Sequence, residues 1–254
     1  MRTSPETPQK AFTLPELLMV VSLVALLALV AFPAMARAKT KNFNAGCLNN
    51  LRQMMNGFVM YADENRDYLM PNNPGGATSS GWSGTSTESW SNITNTAPLT
   101  NGLMYPYLAN DISVFRCPAD LVPSSNGSRL RSYSMNGQVA PGISSENPGW
   151  RKYQSKADLT CPGPANTFVL CDESPVSIND GFIQCNLPIP DYPDLPAAYM
   201  DSGAGFGFAD GHAEIHRWVS STLLVPIVPG VIMHHVSGNN ADYTWYSSRC
   251  ACAN

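Results

Sequence analysis

Charged side chains are scarce in this sequence of 254 residues. Asp, Glu, Lys and Arg make up 13% of the chain, about half of the usual quarter. The net charge is -4, and no basic run is long enough to mark a nucleic-acid-binding surface. We therefore expect no nucleic-acid partner.

Catalytic motifs are also missing. The sequence has no nucleophile elbow, no phosphate-binding loop, no H-E-x-x-H helix and no cysteine pairs with zinc-site spacing. The stretch HAEIH, residues 212–216, places Glu214 between two histidines, but not directly after the first. In a strand, His212, Glu214 and His216 share one face and could hold a metal, although a solvated hairpin face is the preferred interpretation. We predict that the protein is not an enzyme.

Turn-forming residues, by contrast, are plentiful. The chain has 19 Gly and 21 Pro, and residues 71–102 are rich in Gly, Ser, Thr, Asn and Pro, which predicts a long surface loop. Trp82 and Trp90 are unusual in such a segment. They either fold back onto the core, which is the preferred interpretation, or form a stacking surface for sugars or a partner.

The number of cysteines is odd. Seven are present, so an oxidising compartment would allow up to three disulfides and one leftover thiol. Cys250 and Cys252 could bond to Cys161, Cys171 or Cys185. The spacing alone leaves the connectivity open.

One long apolar run lies near the N-terminus. Residues 12–32 carry a single charge, Glu16, and as a helix they would reach about 31 Å, the thickness of a bilayer core. A plain membrane anchor and a secretory signal peptide cut after Ala36 are two interpretations. The run is longer than the roughly 7–15 residues of a signal peptide, and a carboxylate at a bilayer centre costs about 2.5–3.5 kcal/mol.

A third interpretation explains the carboxylate. The segment AFTLPEL, residues 11–17, resembles the cleavage site of type IV prepilins and type II secretion pseudopilins. There a small residue precedes the cut, Phe follows it, and a Glu lies four residues further on. The resemblance implies that Ala11 precedes the cut and that Phe12 becomes an N-methylated N-terminus. Glu16 would then pair with the Phe12 amine of a neighbouring subunit during assembly.

Later segments extend this resemblance to a large pseudopilin-like group. The matching segments are CLNNLRQ (47–53), YADEN (61–65), FRCPAD (115–120), SYSMNG (132–137) and FADGH (208–212). Two positions depart from the family: Ala11 replaces a frequent Gly, and Met200 stands where the group often has a His. We predict that Cys47 and Cys117 lie close in space and can form a disulfide.

The apolar pattern predicts one long helix. Apolar residues recur three and four apart after the membrane-length run, at Leu48, Leu51, Met55, Phe58 or Val59, and Ala62. The helix should run from about Leu14 to about Asn65 and bend at Pro33, which lacks a backbone donor.

Short strands are predicted in the second half of the chain. The candidates are 167–171, 205–209 and 213–219, the last two joined by a two-residue Asp-Gly hairpin at 210–211. Weaker candidates are 223–231 and 243–246. The predicted fold class is α+β, with the long helix packed on a C-terminal antiparallel sheet with long loops, as in pilins.

The predicted organisation has four parts: a leader (1–11), a transmembrane and filament-core helix (12–33), its amphipathic continuation (34–66) and a globular α+β domain (67–254). The resemblance implies a single-pass protein of the bacterial inner membrane with a cytoplasmic N-terminus and a periplasmic domain. Its expected partners are the prepilin peptidase, other pilin or pseudopilin subunits and the assembly platform.

The resemblance therefore implies a structural subunit of a type II secretion or type IV pilus filament. We expect no cofactor. Some pseudopilins bind calcium in a C-terminal loop, and Asp191, Asp194 and Asp201 supply oxygen donors here, but at a spacing that matches no calcium loop. The alternative function is a membrane-anchored periplasmic module that binds carbohydrate or protein through Trp82 and Trp90 without polymerising.

Overall fold

The computed structural model describes residues 13–72, 95–124, 127–140, 147–227 and 236–254. The chain divides into two units, Met1–Asn42 and Phe43–Asn254. A single helix, α1, runs from Leu14 to Glu64 and contributes to both units. The predicted limits of this helix are confirmed.

The second unit contains the sheets and the shorter helices. The further helices are α2 (Ala97–Thr100) and α3 (Ala241–Cys250), with 3-10 turns at Tyr105–Leu108, Ile112–Phe115, Lys156–Asp158, Pro164–Asn166 and Ser221–Leu223. The strands are β1 (Pro123–Ser124), β2 (Gly127–Ser128), β3 (Tyr133–Asn136), β4 (Phe168–Asp172), β5 (Phe182–Ile183), β6 (Asp191–Tyr192), β7 (Gly203–Phe208), β8 (Ala213–Arg217) and β9 (Val236–Ser237). The α+β class is confirmed.

The main sheet has five strands in the order β5-β3-β4-β7-β8. The pairs β3–β4, β4–β7 and β7–β8 are antiparallel, but β5 pairs in parallel with β3. The expectation of an antiparallel sheet is therefore wrong in this detail. After β4 the chain reverses direction and returns to the free edge of β3 rather than to β4, which makes the sheet mixed.

The three main strand predictions are confirmed as β4, β7 and β8. The hairpin between β7 and β8 has a longer loop than predicted: the Phe208 amide donates to the His212 carbonyl, and Gly211 adopts a φ of 98°. Three residues, 209–211, thus make the turn, and its left-handed position is occupied by glycine.

The predicted strand at 243–246 is wrong, because these residues lie in α3. The Asn240 side chain caps the helix by accepting from the Tyr243 amide at 3.0 Å. Tyr243, Tyr246 and Cys250 then fall on one buried face at helical spacing. The predicted strand at 223–231 is not present in 223–227, and its remainder lies outside the described residues.

Glycine sets the distance between α1 and the sheet. A Cβ built on Gly205 would lie 2.7 Å from Leu51 Cδ1, and one on Gly207 would lie 2.7 Å from Met55 Cγ. Alternate residues of a strand share a face, so β7 presents glycine to α1 and aromatic rings to the opposite side. There the ring of Phe206 lies 4.9 Å from that of Trp245 in α3.

Candidate functional site

The start of α1 holds the acid that the sequence singled out. Glu16 Oε2 accepts from the Thr13 amide at 2.9 Å and from Thr13 Oγ1 at 2.7 Å. The Thr13 carbonyl accepts the first helical bond, from Leu17, at 3.1 Å. Thr13 is therefore the N-cap, and Glu16 is the third helical residue that reaches back to it, as in a capping box. A carboxylate here also interacts favourably with the helix dipole.

Glu16 thus has a local structural role in addition to the predicted assembly role. The signal was present in the sequence, since TLPE at 13–16 has the S/T-x-x-E spacing of a capping box. Ala11 and Phe12, the predicted cleavage and methylation residues, lie outside the described residues, as do Trp82 and Trp90.

The segment that follows Glu16 is a continuous apolar surface. Leu14–Phe32 has a mean hydropathy of 2.5 and is long enough to cross a membrane, and none of it is buried. Its large apolar side chains are 50% to 74% exposed. The one hydroxyl among them, on Ser22, donates to the Met19 carbonyl at 2.8 Å. An apolar surface of this extent indicates contact with lipid or with other chains, and is compatible with a membrane anchor or a signal sequence.

Three disulfides fasten the second unit. The structure joins Cys47 to Cys117, Cys161 to Cys252 and Cys185 to Cys250. The first of these brings together the predicted pair and ties α1 to the segment before β1. The other two supply the connectivity that the sequence left open, and Cys171 remains as a buried free thiol.

This connectivity predicts a thiol count. The denatured, non-reduced protein should show one reactive thiol, and the same protein after reduction should show seven. Titration with a chromogenic disulfide in denaturant measures both values. A count of seven without reductant would contradict the disulfides, and Cys171→Ser should bring the non-reduced count to zero.

The histidines of HAEIH turn to different partners. His212 Nδ1 lies 2.6 Å from Asp210 Oδ1, and the His212 ring stacks on Phe208 at 4.4 Å. His216 stacks on Trp245 at 3.7 Å, where burial lowers its pKa despite the opposing effect of Asp242. Among the described residues, no group of three or more His, Cys, Asp or Glu side chains is placed to hold a metal ion.

The three candidate calcium ligands are likewise engaged by separate protein groups. Asp191 Oδ1 accepts from Ser237 Oγ at 3.3 Å, and Asp194 Oδ2 accepts from the Gln184 amide at 2.7 Å. Asp201 Oδ2 lies 3.2 Å from the donors of both Asn44 and Arg217.

A buried charge network was not predicted from the sequence. Arg131 and Glu173 are both fully buried, and Ser134 Oγ links them by accepting from Arg131 and donating to Glu173 Oε2. Arg131 also donates to the backbone carbonyls of Tyr133 and Asp180. Burial raises the pKa of the Glu173 carboxyl and lowers the pKa of Arg131 to about 10. Glu173 directly follows the buried strand β4, and Arg131 lies two residues before the buried strand β3.

A buried ion pair lies near the Cys47–Cys117 bridge. Arg129 Nη2 contacts Asp120 Oδ2, and Ser132 Oγ donates to the same carboxylate oxygen at 2.7 Å. Asp120 belongs to the FRCPAD segment, so one residue of that segment forms a disulfide and another anchors a buried guanidinium.

No protein-family model, curated protein or solved structure matches this chain. Its function is therefore inferred from its own residues and geometry.

Proposed function

We propose that this chain is a pseudopilin-like structural subunit of a type II secretion or type IV pilus filament. The observation that carries the proposal is the position of Glu16: it is the only charged residue of Leu14–Phe32, and it lies in the first turn of an exposed apolar helix. In a plain anchor this carboxylate would only cap the helix through Thr13, whereas in an assembly helix it also selects a partner.

In this proposal the prepilin peptidase cuts after Ala11 on the cytoplasmic side of the inner membrane. Phe12 is then methylated, and residues 12–33 hold the subunit in the bilayer. The bond from Thr13 satisfies Glu16 within a single chain, which lowers the cost of placing the carboxylate at the edge of the membrane.

Assembly then brings a second positive group to Glu16. The α-amine of Phe12 on a neighbouring subunit is a cation that exists only after cleavage. Both charges are costly in an apolar filament core unless they are paired, so the pair fixes the register between successive subunits. The assembly platform would supply the subunits in order, and no catalysis by this chain is required.

The second unit fits the periplasmic location that this topology requires. Its three disulfides are of the kind that persists in oxidising compartments and is rare in the bacterial cytosol. They support a domain that is exported across the inner membrane while the helix remains in it.

The test is co-assembly of wild-type protein with a Glu16→Ala variant. Removing one partner of a buried charge pair costs at least about 2 kcal/mol, so incorporation of the variant into sheared filaments should fall at least about thirtyfold. Ser22→Ala is the matched control, because it changes a polar residue of the same helix without touching a charge, and it should incorporate like wild type. Quantitative mass spectrometry of the filaments measures both ratios.

The mass of the mature N-terminal peptide tests the proposed cleavage site independently of filament assembly. Processing at the proposed site leaves Phe12 as the first residue, in the Glu16→Ala variant as well as in wild type. A mature protein that starts at Arg37 would mean signal-peptide removal and would end the proposal. Correct processing with undiminished incorporation of Glu16→Ala would favour the membrane-anchored binding module instead.

A further inference from the structure

A cavity of about 480 Å³ opens beside the segment that carries Cys117. Ile112, Leu121 and Leu130 form much of its apolar wall, and Arg116, Asp120 and Arg129 contribute charged groups. Its volume lies within the roughly 300–1,000 Å³ of small-molecule sites, and an apolar wall with a few polar groups is typical of them.

Positive charge exceeds negative charge in this wall. Asp120 is already engaged by Arg129 and Ser132. Arg116 Nη2 donates to the backbone carbonyl of Asp120 at 2.9 Å, and within the described residues no carboxylate forms an ion pair with Arg116. One unit of positive charge is therefore left over, which suits a single negative charge on a ligand.

Two donors of Arg129 are unsatisfied within the described part of the chain. Its side chain is only 1% exposed, yet its Nε and Nη1 atoms have no hydrogen-bond acceptor among the residues that the structure describes. Buried donors of a charged group are costly when unsatisfied, and such groups in folded proteins usually have a partner. An acceptor brought into the cavity from outside would remove this cost.

We propose that the cavity binds a small monocarboxylate with an apolar body. The half-buried Arg116 is the first contact for the carboxylate, and a small shift of the wall then gives it the unused donors of Arg129. The apolar body lies against Ile112, Leu121 and Leu130. A dianion such as phosphate fits less well, because the wall offers one excess positive charge and an apolar lining that would strip its water.

The test uses the full chain in phospholipid nanodiscs, with 4-fluorobenzoate as the probe and neutral 4-fluorobenzamide as its matched control. Fluorine NMR titration, corrected against empty nanodiscs, should show saturable benzoate binding in the millimolar range or tighter. The benzamide should bind at least about tenfold more weakly, because it cannot accept charge-assisted hydrogen bonds.

Two variants locate the site. Arg116→Gln keeps the Arg129–Asp120 pair and should weaken benzoate binding about tenfold. The double variant Asp120→Asn with Arg129→Met removes both buried charges together, so that neither is left unpaired, and it should weaken binding at least as much. Arg217→Gln removes a surface guanidinium elsewhere in the second unit and should bind like wild type.

Several results would overturn the proposal. They are the absence of saturable benzoate binding up to about 10 mM, equal affinity for the benzamide, and unchanged affinity in Arg116→Gln. Displacement of the probe by inorganic phosphate at equal or lower concentration would show a general oxyanion site instead. Arg116→Gln decides the result alone if the double variant fails to fold, as judged by circular dichroism.

Discussion

Arg131→Met should lower the free energy of unfolding by about 3–5 kcal/mol, the usual cost of leaving a buried charge without its partner. Glu173 would keep its bonds from Ser134 and Ser177 but lose the Arg131 cation, which is linked to it through Ser134. The double variant Arg131→Met with Glu173→Gln should recover most of the loss. Urea unfolding of the full chain in detergent, monitored by tryptophan fluorescence, measures the free energy of unfolding of the single and the double variant.

The effect should depend on pH in a defined direction. Burial raises the pKa of Glu173 above its ordinary 4.5, and losing Arg131 removes a cation that opposes that shift. The folded variant therefore favours the protonated acid, so the deficit should be largest at pH 8 and should shrink as the pH falls toward 4.5. A deficit that is equal at both ends of this range would contradict the assignment. Arg217→Met, at an exposed pair, should change stability by less than about 1 kcal/mol.

Gly205→Ala should destabilise the second unit by about 1–3 kcal/mol, the range found for overpacked cores. The added methyl would meet Leu51 Cδ1 at 2.7 Å and Asp172 Oδ2 at 2.8 Å. That carboxylate is itself held by the Gly205 amide at 2.9 Å and by Tyr199. To relieve these close contacts, either α1 must move away from the sheet or the hydrogen-bonded Asp172 carboxylate must shift.

Gly207→Ala is the matched control on the same strand and the same face. Its methyl would meet Met55 Cγ at 2.7 Å and Sδ at 3.0 Å, and a methionine side chain adapts to such changes more easily than a branched one. We expect Gly207→Ala to cost less than Gly205→Ala in the same urea experiment. Equal or reversed costs would show that the fixed carboxylate is not what resists the methyl group.

The features that the sequence predicted are those with a local signal. The helix α1 follows from apolar residues three and four apart, and the β7–β8 hairpin follows from Asp210-Gly211 between two apolar runs. Each of these patterns is set by residues that are close together in the sequence. The sequence likewise placed Glu16 at the start of a helix, although its bond to Thr13 was not predicted.

The features that were not predicted from the sequence depend on contacts between residues that are far apart in the chain. The run Tyr243–Tyr246 is rich in strand-forming side chains, but the Asn240 cap and the burial of Tyr246 and Cys250 in the core favour a helix. The parallel strand β5 has two residues, too few for any pattern. Arg129 and Arg131 gave no sign of burial, because a charged residue enters a core only when distant partners meet it there.

The disulfides impose an order on the oxidative folding of the second unit. Cys117 follows Cys47 by 70 residues, so this pair is complete before Cys161 and Cys185 are made. Those two then wait 91 and 65 residues for Cys252 and Cys250. During that interval they remain thiols beside Cys171, which is their nearest and incorrect partner in the chain. Cys171 lies in β4, between β3 and β7, so the formation of the sheet buries it. If the sheet forms before Cys250 and Cys252 are available, Cys171 is buried and cannot mispair with Cys161 or Cys185. If the cysteines are oxidised before the sheet forms, the chain depends on a disulfide isomerase for its correct bonds.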